Sequence, residues 1–217
     1  MNQPVTIVWF RKDLRLADNP ALLDAVDRAQ GEGASGVVVP VFIWSPDEAG
    51  DWAPGWAQRW WLHHSLKSLA ASLQDRGARL IVRKGATREV LDDLIAQTRA
   101  DAVVWNRRYE PAIIERDKDL KQWLRHEKGV LAKSFNSHLL FEPWTVQTGS
   151  GGPYKVYTPF WKNVDSGPAP DLPREAPEMI PGADKWPPSA DLESLGLEPT
   201  RDWKEDLAEA FTPGETS

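Results

Sequence analysis

Two short polar clusters hold most of the chemistry available to this sequence. Arg11-Lys12-Asp13-Leu14-Arg15, with Asp18-Asn19-Pro20, follows one apolar run; Asn106-Arg107-Arg108-Tyr109-Glu110-Pro111 follows another. Guanidinium and ammonium donors, an aromatic face and a carboxylate suit a polar heteroaromatic ligand, held by stacking and by hydrogen bonds to ring nitrogens. Arg11 and Lys12 are the stronger ligand candidates of the first cluster. Asp13 and Arg15 read equally as an Arg–Asp network that locks the loop. The second cluster also reads as a solvated loop with a glutamate at the head of a helix.

Other chemistries lack their residues. With no cysteine, disulfides, thiolate catalysis and cysteine-bound metals are excluded. His63 and His64 are adjacent, so on a helix they point about 100° apart and cannot chelate together. His126 and His138 add no ligand spacing, and no metal is expected. No Ser-His-Asp arrangement can be argued. Gly31-Glu32-Gly33-Ala34-Ser35-Gly36 matches G-x-G-x-x-G in form only. A dinucleotide fingerprint needs a strand before it and a helix after it, and here the order is reversed.

The 217 residues allow one well-buried domain and a substantial tail. A net charge of -6 argues against strong nucleic-acid binding by this chain alone. The start has no basic region, and Val5 to Phe10 is too short for a signal peptide. No apolar run approaches a membrane span. A cytoplasmic location fits. The twelve tryptophans are unusual. Several fall near strand ends or in the tail, where large aromatics pack a planar ligand or another domain, although core filling explains any single one.

The elements that must position the polar clusters follow from periodicity. Val5–Phe10 and Val37–Ile43 are nearly all apolar, as strands covered on both faces should be. Leu80–Val82, Ala102–Trp105 and Val130–Phe135 predict three more strands. Between them, Leu22, Leu23, Val26 and Ala29 mark a helix capped by Asp18 or Asn19, with Pro20 just inside. Leu62, Leu66, Leu69 and Leu73 mark a long helix that Gly77 ends. Val90, Leu91, Leu94 and Ile95 mark a third helix. A fourth opens at Pro111 and carries Ile113, Leu120 and Leu124. This alternation predicts an α/β fold with a five-stranded parallel sheet and helices on both faces. Ligands bind such sheets beyond the strands' carboxyl ends, which selects the loops Arg11–Asn19, Trp44–Pro54 and Asn106–Pro111. From Gly149 to Gly214, prolines and glycines interrupt any period, and only Asp202–Phe211 predicts a short helix. Trp161, Trp186 and Trp203 favour a connector packed on something over a free tail.

Taken together, the sequence resembles the cryptochrome/DNA photolyase family. The matching stretches are Val8-Trp9-Phe10-Arg11-Lys12-Asp13-Leu14-Arg15 with Asp18-Asn19-Pro20, Arg59-Trp60-Trp61-Leu62-His63-His64-Ser65-Leu66, and Asn106–Glu110 with Arg116-Asp117. Tyr154-Lys155-Val156-Tyr157-Thr158-Pro159-Phe160 and Pro213-Gly214-Glu215 follow in family order. The Trp-Trp-Leu-His-His stretch is most similar to bacterial photolyases related to plant cryptochromes.

The resemblance implies a Rossmann-like antenna domain over residues 1–140. Residues 141–217 would form a long irregular linker toward a helical FAD domain, and Pro213-Gly214-Glu215 would be the entry to that domain. In the family, FAD drives light-dependent repair of pyrimidine dimers in DNA. The α/β domain holds a second chromophore, most often methenyltetrahydrofolate, otherwise a deazaflavin or flavin. On this basis the cofactor-binding candidates are Arg11, Lys12, Asp13, Trp44, Arg108, Tyr109 and Glu110, with no catalytic residue in this chain. One bacterial branch binds folate with an Asn-Glu pair where this sequence has Ala112-Ile113. Tyr109 or Glu110 could then substitute, the pigment could rest against aromatics such as Trp44 and Trp60, or none is held. The implied partners are the helical FAD domain and, through it, damaged DNA; no membrane is involved, and the isolated chain is expected to self-associate. A cryptochrome-type photoreceptor is the alternative.

Overall fold

The computed structural model describes residues 3–31, 33, 35–48, 53–200 and 203–215. Glu32 and Ala34 of the glycine-rich turn, residues 49–52 of the loop after the second strand, Asp202 of the last expected helix, and Thr216-Ser217 lie outside the described residues.

Strands and helices alternate as the periodicity predicts: β1 (Val5–Phe10), α1 (Pro20–Gln30), β2 (Val37–Trp44), α2 (Trp56–Gln74), β3 (Ile81–Lys84), α3 (Thr87–Thr98), β4 (Ala102–Asn106), α4 (Pro111–His126) and β5 (Leu131–Phe135). The strands pair in parallel in the order β3-β2-β1-β4-β5. Each central strand splits its side chains between two cores. Val8, Phe10, Val38, Phe42 and Val104 meet Leu22 and Val26 of α1 and Leu66 and Leu73 of α2. Ile7, Trp9, Val39, Val41, Val103 and Trp105 meet Leu91 and Leu94 of α3 and Leu120 and Leu124 of α4. A strand clad on both faces needs apolar residues at every position, which is why these runs do not alternate.

Local signals set the helix ends. Asn19, rather than Asp18, caps α1: its Oδ1 accepts from the Leu22 N–H at 3.1 Å. Pro20 and Pro111 occupy the first turns of α1 and α4, where the missing N–H costs nothing. Beyond α2 the chain reverses at Gly77, whose φ of +86° is left-handed.

The second part of the chain differs from the sequence expectation in two elements, an α-helix and a short 3-10 helix over Leu192–Leu195. Tyr157–Asp165 forms α5, which the proline-rich reading missed. Pro159 sits in its first turn, where an N–H would have no intrahelical partner anyway. Tyr157, Phe160, Trp161 and Val164 have the helical spacing that could have revealed it. No residue of α5 is buried. After it the chain returns to the sheet. Ile180, Leu195 and Leu197 enter the core on the α1/α2 side, and Trp186 packs against both cores. The Pro181 carbonyl accepts from the Val38 N–H at 2.7 Å. Ser189 Oγ accepts from the Val82 N–H at 2.9 Å, and the Ala190 N–H donates to the Val82 carbonyl at 2.9 Å. This stretch therefore covers the edge that β3 would otherwise expose. The backbones approach so closely that a Cβ on Gly182 would lie 2.3 Å from the Gly77 carbonyl oxygen. A final helix, α6, spans Lys204–Ala210. Among the described residues no helix is long and apolar enough to cross a membrane.

Candidate functional site

β2 and β3 lie to one side of β1, while β4 and β5 lie to the other. The loops leaving β1 and β4 therefore diverge at their carboxyl ends, the place where open α/β sheets present ligands. These are the loops that carry the two polar clusters.

Beneath the surface a hydrogen-bonded network joins them. Asn106, the last residue of β4, donates through Nδ2 to Asp13 Oδ2 at 2.5 Å and to Asn19 Oδ1 at 2.8 Å. Its Oδ1 accepts from the Ala21 N–H at 3.2 Å. Asp13 Oδ1 accepts from the Arg11 N–H at 2.8 Å. One buried amide thus ties the loop after β1 and the first turn of α1 to β4. Arg11 is 6% exposed. It donates to Asp117 Oδ2 at 2.7 Å and to the Asn106 carbonyl. Asp117 also accepts from Trp105 Nε1 at 3.2 Å and Arg116 Nη2 at 2.8 Å. Arg116 reaches Glu48 at 2.9 Å, and Glu48 accepts from the Thr87 N–H and hydroxyl, each at 2.6 Å. The Arg11 and Arg116 guanidinium groups lie 4.8 Å and 5.1 Å from the Trp9 ring centre. Burial lowers the Arg11 pKa, opposed by Asp117; a guanidinium remains charged.

The rim above this network uses the same residue types differently. Glu110 accepts from Lys12 Nζ at 2.9 Å and from Arg108 Nη2 at 2.7 Å. The Arg108 hydrogen bond, outweighing partial desolvation and aided by Lys12, holds the Glu110 carboxyl far below its ordinary 4.5. The Tyr109 hydroxyl lies 2.9 Å from Glu142 Oε2 and 3.1 Å from Asn136 Oδ1, which share its single proton. Burial, then Glu142, raises its pKa. Glu142 also accepts from Arg107 Nε at 2.9 Å.

Two clefts open at this edge. The larger, about 730 Å³, is lined by five of the seven candidates: Arg11, Lys12, Asp13, Trp44 and Arg108. Arg11 and Asp13 show it only the back of the buried network, whereas Lys12 and Arg108 stand at its rim. Tyr109 lines the smaller cleft, about 430 Å³, which shares Arg108. Glu110 lines neither and sets the positions of Lys12 and Arg108.

The sequence did not single out the larger cleft's far wall. Trp61, 43% exposed, and Leu62 line it, while Trp60 is 2% exposed and packed in the core. The structure thus places Trp61, and not Trp60, where an aromatic ligand could rest. Only one of two adjacent helical residues can face inward, and which one depends on how α2 is docked. Gly214 and Glu215 also border the cleft. The Glu215 carboxylate accepts from the Leu16 and Ala17 N–H groups at 2.7 Å and 2.6 Å. Among the described residues no group of three or more histidines and carboxylates could hold a metal. The arrangement is suited to binding a flat, polar molecule between Trp61 and the Lys12–Arg108 rim.

Known proteins resemble the chain over nearly its whole length. A family model described as DNA photolyase matches residues 6–178. The chain is 47% identical over 211 residues to a deoxyribodipyrimidine photo-lyase of Agrobacterium fabrum, covering 97% of this chain and 42% of that protein. It is 36% identical over 217 residues to cryptochrome-2 of Arabidopsis thaliana, covering 96% of this chain and 34% of that protein. Among solved structures, a bacterial class III photolyase from Agrobacterium tumefaciens superposes with a TM-score of 0.89 at 46% identity, over 100% of this chain and 43% of that one. A Synechocystis cryptochrome superposes with a TM-score of 0.80 at 22% identity, over 100% of this chain and 45% of that one, a likeness of fold alone. The chain spans less than half the length of these relatives.

Proposed function

Because the chain belongs to the DNA photolyase family, we propose that it is the light-harvesting part of a deoxyribodipyrimidine photolyase. In this reading residues 1–140 hold an antenna pigment and residues 141–217 connect to a helical FAD domain. Members of the family bind FAD and an antenna chromophore. The pigment here is methenyltetrahydrofolate, a deazaflavin or a flavin. Bound, it would absorb light and pass the excitation to FAD.

The observation that carries this reading is the larger cleft. Its volume of about 730 Å³ lies in the range of small-molecule sites. Its walls fit a planar pigment: Trp61 and Trp44 supply aromatic surface, and Lys12 and Arg108 supply donors to a polar edge. Glu110 keeps those two cations in place, and the buried Asn106–Asp13–Asn19 network keeps the loop from collapsing into the cleft. Titration of the 217-residue chain with each of the three pigments tests this. One is expected to bind with a shifted absorption band, and Trp61→Ala should weaken uptake. A chain that takes up none of them would overturn the reading.

The exposed rings of Tyr157, Phe160 and Trp161 offer the helical domain an apolar docking surface, and damaged DNA would be reached through that domain. The isolated chain should then self-associate; a strictly monomeric chain at high concentration would count against it. A cytoplasmic location goes with this function. The 36% identity to a plant cryptochrome supports a second reading, a photoreceptor signalling through protein contacts. Light-dependent dimer reversal by the longer parent protein separates the two.

A further inference from the structure

The smaller cleft lies on the opposite side of the β4 loop, between α4 and β5. One stripe of α4 brings Lys118, Lys121 and Arg125 to its wall. None of the three makes an ion pair among the described residues. Lys121 donates to Ser134 Oγ at 2.6 Å and Arg125 to the Ala132 carbonyl at 2.5 Å, both neutral acceptors. The carboxylate in the wall, Asp117, is already committed to Arg11 and Arg116. Arg107, which also faces the cleft, is held by Glu142. Cations gathered at this spacing repel one another; burial first, then Arg107 and Arg125, lowers the Lys121 pKa. Across from the stripe stand two rings, Tyr109 and Trp144, with centroids 6.4 Å apart.

We propose that this cleft is a second binding site, separate from the pigment cleft, for a small multiply charged anion of the phosphate or carboxylate class carried on a flat ring. The unpaired stripe supplies the charge that the anion neutralises, with Arg125 offering a planar donor fork. Trp144 and Tyr109 supply the face for the ring. A volume of about 430 Å³ suits a mononucleotide-sized molecule and not a nucleic-acid duplex. The site borders the pigment cleft at Arg108, but its cationic stripe and its rings include none of Lys12, Trp44 or Trp61, so it stands whether or not a pigment binds next to it.

Calorimetric titration of the 217-residue chain at low salt, with pyrophosphate and with adenosine monophosphate, tests the proposal. Both should bind at one site, more weakly as salt rises. Lys121→Met with Arg125→Met should cost about tenfold or more in affinity. Lys118→Met, at an exposed position that leaves folding intact, should cost about threefold. Trp144→Ala should weaken the nucleotide and spare pyrophosphate. Trp61→Ala should change neither. The proposal fails if neither anion binds at about 10 mM, if the Met variants bind as well as the parent sequence, or if Trp61→Ala abolishes binding. It also fails if a single-stranded oligonucleotide binds and pyrophosphate cannot displace it, because the stripe would then be a nucleic-acid surface.

Discussion

The interior and the rim of the carboxyl edge are built from the same side chains and behave in opposite ways. In the interior, Arg11, Asp13, Asn106 and Asp117 are buried, and each side chain is held by two or more hydrogen bonds, although Arg11 Nε has no partner. At the rim, Lys12, Arg108 and Glu110 are exposed or partly exposed and share one carboxylate. A buried charge that loses its partner has no water to replace it, so the interior must stay assembled for the fold to persist. A rim charge exchanges its partner for water or a ligand at little cost. Structure and binding are therefore divided within one turn of chain, between Arg11 and Lys12.

This contrast breaks first at Asp117. Asp117→Ala would leave the Arg11 guanidinium buried and unpaired, and should lower stability by about 3–5 kcal/mol, read as a fall in the thermal or denaturant midpoint. If the loss is below about 1 kcal/mol, Arg11 is not dependent on its partner and the interior is not distinct from the rim. Asn106→Leu comes next. It strands Asp13 Oδ2 and the Ala21 N–H and takes one donor from Asn19 Oδ1, and should cost about 2–3 kcal/mol in the same measurement.

The rim should respond far less, and through pH. Glu110 has a folded pKa below its ordinary 4.5, so its contribution is present above about pH 4.5 and fades as pH falls below it. The difference in stability between the parent sequence and Glu110→Gln should therefore shrink on acidification. Solvent screening keeps it under about 1 kcal/mol even at neutral pH. A difference that grows toward acid would have the wrong sign. Lys12→Met should have the smallest effect on the fold, within about 0.5 kcal/mol, while weakening pigment uptake in a spectral titration. Unchanged uptake would remove Lys12 from the binding rim.

Much of the scaffold was legible because its signals are local. All-apolar runs at β1, β2 and β4 mark strands clad on both faces, and the i, i+3, i+4 leucines of α2 mark its core side. Asn19 and Pro20 fix the start of α1, and Pro111 the start of α4. Local signals failed at α5, where prolines near a short exposed helix hid its periodicity. They also failed for Ile180, Leu195 and Leu197, whose burial depends on the sheet edge they return to.

The sequence alone determined the element types, the parallel α/β class, and the two polar loops at the carboxyl edge. These follow from propensity, capping and periodicity, which act between near neighbours along the chain. Tertiary structure decided the rest. The placement of β4 beside β1 brings Arg11 to Asp117, 106 residues away. The docking of α2 turns Trp61 toward the cleft and Trp60 into the core. The return of the chain along β3 covers an open edge. Each of these depends on which distant surfaces meet, and no periodicity in the chain encodes strand order.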